Sequence, residues 1–315
     1  MNCERVPSAS GVAAAAERIR DWVTRTPILP LEIRKRTLWV KAECLQQGGA
    51  FKLRGATNRL LQLNADERSR GVVAFSSGNH ARGVAIAARR LGIRAIIVMP
   101  ADAPAVKREA TAAEGAEIVL YDRSTEDRVA IAARISADTG AIVVPSFDDV
   151  DIIEGQGTAG VELSEQLGAN PPMVIVPCGG GGLSAGIALA LPDSVIVPVE
   201  PAGWDDMARS LAGGTIVPVG ADAPATKLDA LQTPLVSPLT FDVLHERGAR
   251  GLSVTDEEAR AAMRFAFDSL RLVVEPGGAA ALAAVLAGRV DPPDGSVILL
   301  SGGNVDPGYF ASVLG

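Results

Sequence analysis

Short apolar runs alternate with stretches of helical period along most of the chain. An Ala-rich amphipathic helix is predicted over 12–23, stopped by Pro27 and Pro30, and a short strand over 37–41 leads into a glycine-containing loop and a helix over 56–63. Strands at 72–75, 95–99, 117–121 and 141–144 then alternate with helices at 81–91, 104–114 and 125–138. A second series runs helix 158–167, strand 173–176, helix 183–191 and strand 195–199, followed by helices at 204–212, 238–246, 256–270 and 277–287 and a strand at 296–300. Apolar runs of strand length set between helices indicate βαβ units and parallel sheets, whose functional loops lie at the carboxyl ends of the strands. The stretch 212–226, rich in Gly and Pro, reads as an exposed connection.

Composition narrows the function. With 315 residues, 48% hydrophobic content, 33 Gly and 20 Pro, the chain is globular and loop-rich. Its apolar runs are too short to span a bilayer and its N-terminus lacks the apolar core of a signal peptide, so a soluble cytoplasmic protein is expected. A net charge of −7 without a basic cluster argues against nucleic acid and for a small-molecule partner. Cys3, Cys44 and Cys178 are too scattered for a disulfide framework or a zinc site. His80 and His245 are the only histidines, and neither sits in a nucleophile context, so a zincin or triad hydrolase is not expected. A cofactor must carry any hard chemistry.

Four loops offer that chemistry. In Gly48-Gly49-Ala50-Phe51-Lys52-Leu53-Arg54, Lys52 stands past two glycines and beside an aromatic at a helix start. A near-apolar pocket there lowers a lysine pKa and frees an amine to condense with an aldehyde; the alternative is a solvated helix-start lysine. Gly179-Gly180-Gly181-Gly182-Leu183 follows a strand and opens a helix, where backbone N–H groups and the helix dipole make an anion cradle, a flexible turn being the alternative. Ser76-Ser77-Gly78-Asn79-His80 occupies a strand-to-helix switch and suits a carboxylate or cofactor oxygen, or serves as a plain helix cap. Ser301-Gly302-Gly303-Asn304 offers one hydroxyl in a loop that backbone can approach closely, though by itself it reads as a plain turn. Gly155-Gln156-Gly157-Thr158-Ala159-Gly160 matches a dinucleotide fingerprint literally, but no buried strand precedes it and no acidic residue ends a following strand, so that reading is rejected.

Together with Val98-Met99-Pro100-Ala101-Asp102-Ala103-Pro104-Ala105-Val106-Lys107, Ile153-Glu154-Gly155-Gln156-Gly157-Thr158 and Val274-Glu275-Pro276-Gly277-Gly278, these loops resemble the fold type II pyridoxal-phosphate enzymes of the serine/threonine dehydratase and serine racemase branch, from Thr26 to Asp306. The resemblance implies an α/β fold of two open, mostly parallel twisted sheets flanked by helices, similar to the tryptophan synthase β chain. It implies a large cofactor domain formed by 1–70 and 148–315, a small domain over 71–147, and a homodimer. On this mapping Lys52 holds pyridoxal 5′-phosphate and later takes the α-proton, Gly179 to Gly182 with Leu183 hold the phosphate, and Phe51 packs on the ring. Asn79 meets the ring hydroxyl, Glu275 lies at the cofactor, and Ser301 faces the pyridine nitrogen, where a neutral hydroxyl favours elimination or reprotonation over transamination. Ser76, Ser77, Gly78, Asn79 and His80 receive the substrate carboxylate, with Ser77 as the catalytic group on the face opposite Lys52. Glu200, Trp204 (through its carbonyl) and Asp206 resemble the divalent-cation site of the racemase, a hard oxygen set for Mg²⁺ or Ca²⁺, or else a solvated acidic turn.

The implied reaction is dehydration of a β-hydroxy amino acid such as L-serine or L-threonine to a 2-oxo acid and ammonia. Serine racemase is the close alternative, and a non-catalytic pyridoxal-phosphate carrier the remote one. Three departures bear on the substrate: Ala50 where serine is usual, Arg82 where glutamine is usual, and Asp229-Ala230-Leu231-Gln232-Thr233-Pro234 in the pocket roof. They keep open a larger or more polar substrate, such as 3-hydroxyaspartate, phenylserine or a hydroxylated osmolyte derivative. With no regulatory domain expected after Gly315, feedback control of the biosynthetic threonine-deaminase kind is not expected.

Overall fold

The computed structural model describes residues 5–76, 78–103 and 105–315, with Val106 by its backbone alone. Helix α1 (Ala9–Ile19), capped by the Ser8 side chain, precedes strands β1 (Ile28–Ile33) and β2 (Arg36–Ala42) and helices α2 (Lys52–Leu61) and α3 (Ala65–Arg70). Next come β3 (Val72–Phe75), α4 (Asn79–Leu91), β4 (Ala95–Pro100), α5 (Ala105–Ala112), β5 (Glu117–Tyr121), α6 (Arg128–Thr139) and β6 (Ile142–Val143). The chain continues through α7 (Val150–Leu167), β7 (Met173–Pro177), α8 (Gly182–Ala190), β8 (Val195–Pro201), α9 (Asp206–Gly213) and α10 (Pro238–Glu246). It ends with β9 (Leu252–Val254), α11 (Asp256–Leu270), α12 (Ala280–Leu286), β10 (Val297–Leu300) and α13 (Pro307–Leu314).

The strands form two sheets. Six lie in the order β1-β2-β10-β7-β8-β9, parallel except for the antiparallel edge pair β1–β2, and four lie in the all-parallel order β5-β4-β3-β6. Every residue of β4 and of β10 is buried, which is why these strands read as unbroken apolar runs and not as alternations. Helices flank both sheets, as in the α/β architecture expected. No helix among the described residues is long and apolar enough to cross a membrane.

Several local expectations are corrected. Pro27 and Pro30 do not end the first helix, which stops at Ile19, and β1 runs through Pro30; the strand is at the sheet edge, where a missing N–H costs little. Helix α7 begins at Val150, capped by Asp149, so the whole Gly155 to Gly160 match lies inside a helix. Its glycines serve packing: a Cβ on Gly157 would stand 2.5 Å from the Gly186 carbonyl oxygen, and one on Gly155 would stand 2.7 Å from the Gly55 Cα. The short elements α3, β9 and α13 have too few periodic positions to announce themselves in the pattern.

Candidate functional site

Lys52 is placed by pairing between two distant loops. Gly48 and Gly49 take positive φ values of 80° and 77°, turning the chain so that Ala50 bridges Gly302. The Phe51 N–H donates to the Ser301 carbonyl at 3.1 Å and the Gly303 N–H to the Gly49 carbonyl at 2.8 Å. The lysine therefore begins α2 directly beside the end of β10. Its ammonium donates to the Ser146 carbonyl at 3.0 Å and lies 5.1 Å from the centre of the Phe51 ring. Burial pushes the amine down to about 8, because no carboxylate stands close enough to offset the lost hydration.

Across from Lys52 lies the glycine loop between β7 and α8. Each glycine has its own reason. Gly181 adopts φ 86° as the residue capping α8, while a Cβ on Gly179 would meet Leu231 and Thr233 of the roof at 3.0–3.2 Å. Cβ atoms on Gly180 and Gly182 would meet Phe147 at 2.4 and 3.1 Å. The Thr240 hydroxyl donates to the Gly180 carbonyl at 2.8 Å and fixes the loop from below. What remains is bare backbone at the N-terminus of a buried helix, a setting made for a phosphate.

One cleft of about 610 Å³ brings together Phe51, Lys52, Ser76, Gly78, Asn79, His80, Gly179 to Gly182, Leu183, Glu275 and Ser301. Ser77 lies outside the described residues, so neither its catalytic nor its substrate-binding expectation is placed. Asn79 opens α4; its amide donates to the Glu275 carboxyl and accepts from Asn304 at 2.8 Å. Burial raises the Glu275 carboxyl to about 7 against the lowering effect of that amide. Ser76 Oγ accepts from the Gly78 N–H at 3.2 Å. His80 is buried, its Nε2 is engaged with the Val144 carbonyl at 2.9 Å, and burial together with the Lys52 charge pushes it down to about 3. A neutral His80 brings no positive charge to a carboxylate.

The predicted cation ligands stand apart from this cleft. Glu200, buried at the end of β8, accepts from the Met207 and Ala208 N–H groups at 3.0 and 2.8 Å and so caps α9. Asp206 is buried, with one carboxylate oxygen unpartnered among the described residues, and the Trp204 indole donates to the Pro224 carbonyl at 2.7 Å. Among the described residues no group of three or more His, Cys, Asp and Glu side chains is close enough to hold a metal.

The structure adds residues that the sequence reading missed. Ser146 and Phe147 come from the link between β6 and α7, and Arg128 begins α6 with its guanidinium 5.8 Å from the centre of the Phe75 ring. Arg128 lines the cleft without an ion-pair partner among the described residues. Lys107 of α5 pairs with Asp229 of the roof at 2.9 Å. Lys107 ends one of the stretches that carry the resemblance, with no role read for it there, and no local motif marks Ser146, Phe147 or Arg128, which acquire their places only through the packing of distant segments.

Known proteins are similar over nearly the whole chain. The family model described as pyridoxal-phosphate dependent enzyme matches residues 19–302. The L-threo-3-hydroxyaspartate ammonia-lyase of Saccharomyces cerevisiae is 40% identical, covering 98% of this chain and 97% of its own. The serine racemase of Schizosaccharomyces pombe is 39% identical over 98% of each chain. Maize serine racemase superposes with a TM-score of 0.92 at 36% identity, covering 98% of this chain and 97% of its own. A lysine with a depressed pKa opposite a glycine cradle is the arrangement that such a cofactor requires, and with these likenesses the chain belongs to the pyridoxal-phosphate dependent enzymes.

Proposed function

We propose that the protein is an ammonia-lyase for β-hydroxy amino acids, with a preferred substrate that carries a second carboxylate, as 3-hydroxyaspartate does. The carrying observation is the enclosed Lys52 amine facing the bare glycine loop, with the unpaired Arg128 in the same cleft. Bound with its phosphate on Gly179 to Gly182, pyridoxal phosphate supplies an electron sink for the charge left when Cα loses a proton. Lys52, pushed down to about 8, takes that proton near neutral pH. Asn79, held by Glu275 and Asn304, presents a fixed amide to the ring hydroxyl. The buried Ser301 hydroxyl at the end of β10 meets the ring nitrogen without donating a full charge. The first turn of α4, with Ser76 and Gly78, receives the α-carboxylate, and Arg128 receives the second. The β-hydroxyl leaves as water, its proton made up by the one that Lys52 took from Cα, and the unsaturated amine that is released takes up water to give the 2-oxo acid and ammonia.

Serine racemisation is the second reading, supported by the 39% identical relative named for it. A structural Mg²⁺ or Ca²⁺ ion would draw on the unpartnered Asp206 oxygen, the Trp204 carbonyl and Glu200, whose two oxygens already cap α9, and the active protein is a homodimer.

The test measures 2-oxo acid release from L-serine, L-threonine, D-serine and L-threo-3-hydroxyaspartate, with chiral chromatography for D-serine, in the presence of Mg²⁺ or of chelator. Fastest turnover of the hydroxyaspartate is expected. Replacing Arg128 by Met should raise its KM roughly tenfold, the size of a lost charge-assisted contact, while leaving that for L-serine near the parent value. D-serine forming faster than oxo acid would favour the racemase, and equal KM changes for both substrates would show that Arg128 does not receive the second carboxylate. Thermal stability indifferent to chelator and to Mg²⁺ would dismiss the ion. A borohydride-fixed adduct anywhere but Lys52 would sink the whole assignment.

A further inference from the structure

Phe147 is half-buried and lies in the cofactor cleft, yet it belongs to none of the apolar cores that absorb the other large hydrophobic side chains near it. Its ring instead lies against the glycine loop. A Cβ built on Gly180 would stand 2.4–2.5 Å from three atoms of the ring, and one on Gly182 would stand 3.1 Å from the Phe147 Cβ. Ordinary contact is about an ångström longer than the first of these distances, so Gly180 is a glycine because this ring is there, while Gly182 answers to the Phe147 Cβ and backbone.

Phe147 is also held firmly. Two residues on, Asp149 caps α7 by accepting from the Ile152 N–H at 3.0 Å and pairs with Arg59 at 3.0 Å. One residue before it, the Ser146 carbonyl takes the Lys52 ammonium. The same short segment thus touches the cradle and the reactive amine, and it is the connection from β6 to α7 between the two sheets.

We propose that Phe147 is the residue that retains the cofactor: its ring walls the glycine cradle, holds the loop in its anion-binding form and keeps water from the phosphate. An anion bound by backbone N–H groups alone competes with hydration, so an apolar wall raises the value of each bond by excluding water. A ring fixed by its own backbone does this at little cost in side-chain entropy. Phe147 acts through the loop, and so is a positioning residue. The inference rests on the cradle being the phosphate site.

The experiment compares parent, Phe147→Ala and Phe147→Leu proteins, each loaded with pyridoxal phosphate and then stripped by dilution, with cofactor release followed by absorbance and the dissociation constant by fluorescence titration. Phe147→Ala should release the cofactor and weaken its binding by roughly tenfold or more, the factor that about 1.4 kcal/mol of lost wall contact corresponds to. Phe147→Leu should recover most of the loss. The cofactor-free proteins should melt together, which separates retention from folding. Parent-like release and affinity in Phe147→Ala would overturn the proposal, as would tighter binding, since the ring would then be an obstacle to the phosphate. A parent protein that captures no cofactor at all would instead bring down the cradle assignment, and this inference with it.

Discussion

Two lysines in this protein are lifted out of water, and their surroundings give them opposite fates. Lys41 on β2 is fully buried, but it donates to Glu162 at 2.6 Å, to Gln166 at 3.0 Å and to the Thr26 carbonyl at 2.9 Å. Burial lowers its pKa and the neighbouring carboxylates Glu43 and Glu162 pull it back up. Lys52 has one carbonyl and no carboxylate, and burial takes it to about 8. The first is a structural cation, the second an amine waiting for an aldehyde. Because the neutral amine is the nucleophile, capture of pyridoxal phosphate by the cofactor-free protein should accelerate as pH rises and reach half its limit near about 8. Stopped-flow absorbance would show this, with Lys52→Ala forming no adduct; a rise that begins only above the range of a free lysine would contradict the depressed amine.

At the scale of elements, the sequence told more about where loops fall than about what pins them. The alternation of apolar runs places most strands and helices, and the glycine loop is legible because four glycines between a strand and a helix have few other uses. By contrast, nothing local says that Arg54 is the largest fully buried side chain of α2. It donates to both Glu43 oxygens at 2.8 Å and to both Glu162 oxygens at 2.7 and 2.8 Å, tying α2 to the end of β2 and to α7. A charged residue two positions after Lys52 reads on the sequence as solvated, since only long-range packing supplies its partners. Arg54→Met should cost about 3–5 kcal/mol, because it strands Glu43 as a buried charge and leaves Glu162 to Lys41 alone. The melting temperature should fall by roughly 10 °C. Lys in place of Arg should recover part of the loss, since an ammonium cannot reproduce the fork of bonds. A shift of a degree or two for the Met variant would show that the cluster is relaxed by water.

On the scale of the whole molecule, the two sheets meet across the cleft, and the Lys107–Asp229 ion pair ties α5 on one side to the roof on the other. Gly78, Asn79, Lys107, Asp229 and Glu275 line both the 610 Å³ cleft and a second cavity of about 450 Å³, so the pair stands in the partition between them. Their side chains are 28% and 55% exposed, which limits such a pair to about 1 kcal/mol or less in overall stability. The same small energy acts directly on catalysis where it holds α5 and the roof at the spacing a bound substrate needs. Lys107→Gln, Asp229→Asn and the double variant form a cycle that isolates the pair from the separate effect of either charge on a charged substrate. The coupling in kcat/KM should be a factor of roughly 2–5, with melting temperatures of all three close to the parent. High salt should shrink the coupling, because exposed charges are screened. If the effects of the single variants simply multiply in the double, the two charges do not act together in catalysis, and the partition that Gly78, Asn79 and Glu275 also line holds without the pair.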